Sequence, residues 1–407
     1  MSFAKALLCR KCGQEYPVEA IGRCGVCLSP VEVTYDYEAM AGAMNRDKAA
    51  TGPTSMWRYK EMLPVDGEVI DIGTGFTPLV KADTLGKEIG LDRLYIKNDC
   101  LTPTYSFKDR PVSVAATKAR ELGFDTLACA STGNLAASVA AHAAKAGMKA
   151  YVFVPASVEP GKLIGIAIYN PNLVTVEGSY DDVNRLCARL VERYPWGFIN
   201  INLRPYYAEG SKTLGFEVAE QLGWRTPDCV VAPAGSGLMF TRIWKGFDEL
   251  ATLGMIEPPS TRMFVAQAAG SSPIVNAFES GSQHVNPVTP DTIAKSIAIG
   301  NPADGPLAIR VARESCGGAV SASDEELIDG VRLLAETEGI FAEATGGVVI
   351  ASLKKLAESG AIKRDELTVA FITGAGPRTQ DSVADIVKPY TVQPSIESFE
   401  EVLGTRV

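Results

Sequence analysis

From Leu94 onward the chain alternates short, β-rich apolar runs with longer amphipathic segments, a pattern few folds accommodate. Strand candidates are Leu94–Lys97, Thr126–Ala130, Ala150–Val154, Val174–Glu177, Cys229–Ala232, Met263–Gln267, Ile340–Glu343 and Leu367–Ile372. Each is four to six residues long, and most are flanked by Gly, Pro or polar residues. Helices fill the intervals. Ser323 and Glu326 have the spacing of a capping box, opening a helix that ends near Gly339. Ser179 with Asp182 opens another. Strands alternating with helices predict an α/β fold of mostly parallel sheets covered on both faces. The 407 residues accommodate two such doubly wound units.

The first 36 residues stand apart. Cys9-Arg-Lys-Cys12 and Cys24-Gly-Val-Cys27 are two CxxC pairs separated by eleven residues. Each knuckle offers two thiolates, and together they suit a tetrahedral zinc ion whose closed coordination makes it structural. Two redox-active or free pairs are the plainer reading. The local basic residues Lys5, Arg10, Lys11 and Arg23 are too few to predict nucleic-acid binding, and the net charge of −9 also argues against it. The other five of nine cysteines are scattered through apolar segments, which suits a reducing compartment rather than a disulfide framework. No apolar run nears the roughly 18 residues of a membrane span, and the N-terminus is unlike a signal peptide. These features predict a cytoplasmic protein with no membrane partner. Only two histidines occur. His142 reads as helix packing or surface, and His284 as a solvated loop residue.

The densest chemical signal is Thr102-Pro-Thr-Tyr-Ser-Phe-Lys108-Asp-Arg-Pro111, between a strand and a helix. Pro111 is tolerated only in a first helical turn, so the helix starts near Asp109, capped by Ser106 or Asp109. Lys108 then projects at a strand-to-helix switch, where α/β proteins place ligands. Phe107 and Arg110 are neighbours that favour a reactive amine. By itself this run is only a polar helix start.

Three further turns follow strands in the same way: Ser131-Thr132-Gly133-Asn134, Pro233-Ala-Gly235-Ser236-Gly237-Leu238 and Ile372-Thr373-Gly374-Ala-Gly376. In this order, over nearly the whole chain, the four resemble the motifs of the fold-type-II pyridoxal-phosphate enzymes, the tryptophan-synthase-β-like superfamily. The resemblance implies that Lys108 holds the cofactor as a Schiff base and acts as the general base. It implies that the Ser131–Asn134 loop holds the substrate carboxylate, with Asn134 also at the cofactor's 3-oxygen. Gly235, Ser236, Gly237 and Leu238 would cradle the cofactor phosphate, since small residues and a helix N-terminus favour anions. Leu238 stands where many members carry another glycine. Thr373 would meet the pyridine nitrogen.

The cysteine-bearing N-terminus, the run Asn200–Thr213 and the loop Ser296–Pro302 are similar to the zinc-ribbon-bearing branch of the threonine synthase family. That likeness implies conversion of the small-molecule substrate O-phospho-L-homoserine, with water, to L-threonine and phosphate. Arg204 and Lys212 are the expected partners of the substrate phosphate, with Ser131 and Arg110 behind them. It implies a homodimer, a zinc ribbon over 1–36, a larger α/β unit over 37–110 and 205–387, a smaller mobile unit over 111–204 and an arm over 388–407. A cysteate-synthase-like replacement on O-phosphoserine is the nearest rival, and a catalytically inactive ribbon-bearing binding protein a more distant one.

Overall fold

The β-rich runs collect into three sheets. The computed structural model describes residues 2–403 apart from 132, 157, 159, 179, 381, 382, 385 and 386, with backbone alone at 160–162, 180 and 181. The expected helix start at Ser179 lies outside the described residues.

A small antiparallel sheet, ordered β2-β1-β3, joins β1 (Ala4–Cys9), β2 (Glu15–Tyr16) and β3 (Val31–Tyr35). Alternation in β3 turns Val31, Val33 and Tyr35 inward, as a half-covered antiparallel strand requires. The second sheet has six strands: β4 (Leu79–Lys81), β5 (Leu94–Asn98), β10 (Cys229–Pro233), β11 (Arg262–Ala268), β12 (Gly318–Ala322) and β13 (Thr368–Ile372). Its order is β12-β11-β10-β13-β5-β4, all parallel except the edge strand β4. The third sheet, ordered β8-β7-β6-β9, is parallel and joins β6 (Thr126–Ala130), β7 (Lys149–Pro155), β8 (Asn172–Val176) and β9 (Gly197–Phe198).

Eight helices matter for the site: α1 (Asp109–Glu121), α2 (Asn134–Ala146), α3 (Arg204–Gly210), α4 (Thr213–Gln221), α5 (Leu238–Thr252), α6 (Gly305–Glu314), α7 (Asp324–Glu338) and α8 (Ala344–Glu358). Successive side chains of β10 enter different cores. Val230 and Ala232 pack with Ile243, Phe247 and Ile309, while Cys229 and Val231 pack with Val349 and Leu353. This period of two places α5 and α6 on one face and α8 on the other, so the central strands are buried on both faces.

Seven strand candidates fall on observed strands, with ends shifted by no more than two residues. Ile340–Glu343 does not. Gly339 takes the left-handed conformation at φ +67° and ends α7, and Glu343 directly precedes α8. Between them only Ala342 bridges Ala375. The outer place in the sheet goes instead to Gly318–Ala322, whose small residues gave no strand signal. The capping box forms: the Ser323 hydroxyl accepts from the Glu326 amide at 3.3 Å, and the Ser323 amide donates to Glu326 Oε2 at 2.7 Å. No helix among the described residues is long and apolar enough to cross a membrane.

Candidate functional site

After β5 the chain makes one tight turn over Asp99–Leu101, loops to Asp109 and enters α1 with Pro111 in its first turn. The Asp109 carboxylate, buried, accepts from the Thr104 amide at 2.8 Å and from the Thr104 and Ser138 hydroxyls at 2.6 and 2.7 Å. It thus fastens the loop to α2. The other side of the loop is stitched to the end of β13. The Phe107 amide donates to the Thr373 carbonyl at 3.0 Å, and the Ala375 amide to the Tyr105 carbonyl at 3.0 Å. Lys108, at the N-terminal boundary of α1, is therefore fixed on both sides. Its Nζ donates to the Tyr207 hydroxyl at 3.0 Å and lies 4.5 Å from the Phe107 ring centroid.

β10, β13 and β5 are neighbours, and their carboxyl ends carry the Gly235 turn, Thr373 and the Lys108 loop. Ligands of open parallel sheets bind at such an edge. A cleft enclosing about 600 Å³ of space, solvent included, opens there. Lys108, Asn134, Gly235, Ser236, Gly237, Leu238 and Thr373 all line it. Gly237 has φ +86°, and a Cβ on it would lie 3.0 Å from the Asp304 carbonyl oxygen, so the turn needs glycine for conformation and for room. The first amides of α5 have no intrahelical acceptors, which leaves an anion cradle where the expected phosphate loop stands. Leu238 contributes through its backbone, its amide meeting the Ser236 hydroxyl at 3.3 Å.

Of the described residues in the Ser131–Asn134 turn, only Asn134 reaches the cleft wall. Ser131 and Gly133 stand behind it, with the Ser131 hydroxyl accepting the Gly133 and Ala136 amides at 3.2 Å. Thr132 lies outside the described residues. The structure does not bring Arg204 or Lys212 to the cleft wall. Arg204 is ion-paired with Asp304. Lys212 is completely buried, its Nζ 2.7 Å from both Glu209 Oε2 and Glu249 Oε2, so its charge is already matched. Arg110 likewise serves a different purpose from the one expected. Its guanidinium is buried between Asp99, at 2.7 Å, and Glu217, at 2.5 Å. Burial alone would raise the Glu217 carboxyl, but Arg110 and Lys97 hold it down to about 2.

Sequence reasoning missed Tyr207, Glu343, Ser296 and Thr345. Glu343, 3% exposed, accepts from Asn134 Nδ2 at 3.2 Å and the Ser296 hydroxyl at 3.0 Å, while Ser296 and Thr345 hydroxyls lie 2.5 Å apart. Tyr207 and Ser296 sit within stretches the sequence had singled out without assigning them. Glu343 was hidden at the end of a strand that does not form. The one available signal was a lone acid opening a Gly-rich helix.

The N-terminal knuckles bring Cys9, Cys12, Cys24 and Cys27 together, with all four sulfurs within 4.8 Å of one another. Three of the sulfur pairs measure 3.4, 3.5 and 3.6 Å, and all four thiols are free. This compact cluster suits one metal ion. The Cys24 thiol is lowered to about 6, first through the hydrogen bond from Tyr16.

Residues 70–374 match the family described as "Pyridoxal-phosphate dependent enzyme". A curated protein called threonine synthase from Methanosarcina acetivorans is 39% identical over 401 residues, 98% of either chain. One of the same name from Methanocaldococcus jannaschii is 39% identical over 378 residues, covering 92% of this chain and 93% of its own. Among solved structures, Escherichia coli diaminopropionate ammonia lyase superposes with a TM-score of 0.67 at 19% identity, over 84% of this chain and 92% of that one. Threonine deaminase isoform 2 from Solanum lycopersicum gives 0.65 at 19% identity, over 87% and 93%. The structural likenesses concern the fold.

Proposed function

The chain belongs to the pyridoxal-phosphate-dependent enzyme family, and from that premise we propose that it works as a threonine synthase, turning O-phospho-L-homoserine and water into L-threonine and phosphate. The observation that carries the reading is the convergence of four turns distant in sequence on one cleft: Lys108, Asn134, Gly235–Leu238 and Thr373. Curated relatives of that name, matched along nearly the whole chain, select this reaction within the family.

Pyridoxal phosphate, when bound, supplies an electron sink for charge developing beside the substrate amine. The residues around it divide the remaining work. Lys108 would be its covalent anchor, and the freed amine would serve as general base for the α- and β-protons of the substrate in turn, releasing the first before it takes the second. The Tyr207 hydroxyl, 3.0 Å away, holds that amine in place between transfers. Gly235, Ser236, Gly237 and Leu238 would hold the cofactor phosphate through backbone amides, that of Leu238 giving up its 3.3 Å contact with the Ser236 hydroxyl. Asn134, whose side-chain amide is held by Glu343, would donate to the cofactor's 3-oxygen, and the Thr373 hydroxyl would face the ring nitrogen. A hydroxyl partner there keeps the ring a weaker electron sink than a carboxylate would, which restrains side reactions.

The Ser131–Asn134 turn takes the substrate carboxylate. Segment 111–204, which contains the third sheet, closes on the larger unit to exclude water during proton transfer and admits one for addition. Cys9, Cys12, Cys24 and Cys27, their sulfurs all within 4.8 Å of one another, would hold a structural zinc ion. The enzyme works as a cytoplasmic homodimer.

Phosphate release and threonine formation from O-phospho-L-homoserine test the reading directly. Lys108→Ala should lose at least about a thousandfold in turnover. Sulfite-dependent phosphate release from O-phosphoserine, with none from O-phospho-L-homoserine, would overturn it.

A further inference from the structure

Arg10 lies between the two cysteines of the first knuckle, yet its guanidinium leaves the ribbon. Nε meets Glu32 Oε1 on β3 at 3.1 Å, and Nη2 meets Asp304 Oδ1 at 2.5 Å. The Asp304 side chain has no exposure, and its other oxygen is taken by Arg204. The backbone of Asp304 abuts the phosphate-loop turn. Its amide donates to the Ser236 carbonyl at 3.0 Å, and its own carbonyl occupies the space a side chain at Gly237 would need. A rigid path therefore runs from the cysteine cluster through one charge-assisted contact to the turn that faces the cofactor phosphate. A buried carboxylate stripped of one partner moves or draws in water, and Ser236 is hydrogen-bonded to that same residue.

We propose that Arg10, aimed by the cysteine ribbon, is a positioning residue that sets the Ser236–Gly237 turn for the cofactor phosphate through Asp304. The inference rests on the reading of that turn as the phosphate cradle, not on which substrate the enzyme takes. Arg10 touches no reacting group. It works by fixing backbone amides in advance, so that binding an anion requires no reorganisation.

The test uses the full chain, with resident cofactor removed and pyridoxal phosphate titrated back while its absorbance is followed. Bound zinc per chain is measured on the same samples. Arg10→Met should keep its zinc and bind pyridoxal phosphate roughly tenfold to hundredfold more weakly, a loss of the size that outer partners cause at metal sites. Arg10→Lys should restore part of the loss. Affinity for pyridoxal, which lacks the phosphate, should not change.

Asp304→Asn, remote in sequence from the cysteines, should show the same phosphate-dependent loss, and the double variant should be no worse than Asp304→Asn alone. If Arg10→Met also loses zinc, Asp304→Asn decides. Unchanged pyridoxal phosphate affinity in Asp304→Asn, additive losses in the double variant, or equal weakening of pyridoxal would each overturn the proposal. Failure to make threonine would leave these titrations intact, so the two readings fail separately.

Discussion

Glu343 is the one carboxylate among the described residues lining the cleft, just as Lys108 is the one cation. It holds Asn134 Nδ2 at 3.2 Å and the Ser296 hydroxyl at 3.0 Å, both as acceptor. Glu343→Gln keeps the volume but replaces an acceptor with a donor facing donors. We expect kcat to fall about ten- to a hundredfold, or about 1.4–2.7 kcal/mol of barrier, with the thermal midpoint almost unchanged. Wild-type turnover in Glu343→Gln would show that Asn134 needs no such support. Gly237→Ala tests the turn. Its φ of +86° and the Asp304 carbonyl at 3.0 Å penalise any Cβ. The variant should lose about 1–3 kcal/mol of cofactor affinity, read by the same reconstitution titration.

At the scale of elements, two side-chain clusters tie neighbouring segments together. Beside the small sheet β1–β3, whose Val31, Val33 and Tyr35 pack into the main core, four thiols gather within 4.8 Å, a cluster that suits one metal ion. Chelation should release metal, add four reactive thiols to a thiol titration and open the ribbon to protease. Unchanged thiol reactivity after chelation would count against a metal there. The second cluster joins β5, α1 and α4. Arg110 bridges Asp99 and Glu217, and Lys97 meets Glu217 at 2.7 Å, all completely buried or nearly so. Removing one member leaves buried charge unmatched. Arg110→Met should therefore cost about 3–5 kcal/mol in urea unfolding.

Over the whole molecule the buried titratable groups set an acid limit. Glu217 is held at about 2 in the folded protein, by Arg110 and Lys97 against the effect of burial. Its unfolded value is about 4.3, so its contribution is complete above that and is lost as pH falls towards 2. His142 is completely buried, and burial lowers it below its ordinary value of about 6.5. Folding therefore favours the neutral ring, and that preference weakens the fold as pH drops below 6.5. Both signs agree. Thermal midpoints should be level above about pH 7, fall below about 6.5 and drop further below about 4.5. A midpoint unchanged down to pH 4 would remove His142 from this account.

The sequence by itself determined the features that are local. Apolar runs bounded by turns fixed most strands, Pro111 fixed where α1 starts, and the capping box fixed α7. The glycine turn and the lysine loop were legible only together: each alone is an ordinary helix start, and it was their order along the chain, resembling that of a known family, that gave them a role. Sequence spacing also gathered the cysteines, since each pair shares one knuckle. Tertiary structure alone decided which charges meet. Arg10 and Asp304 are 294 residues apart, and no periodicity links them. The same holds for Tyr207 beside Lys108, for Glu343 beneath Asn134 and for the carboxylates that claim Lys212 and Arg110. A side chain's partner depends on where two elements pack, and the hydrophobic pattern dictates which face is buried without naming what lies across from it.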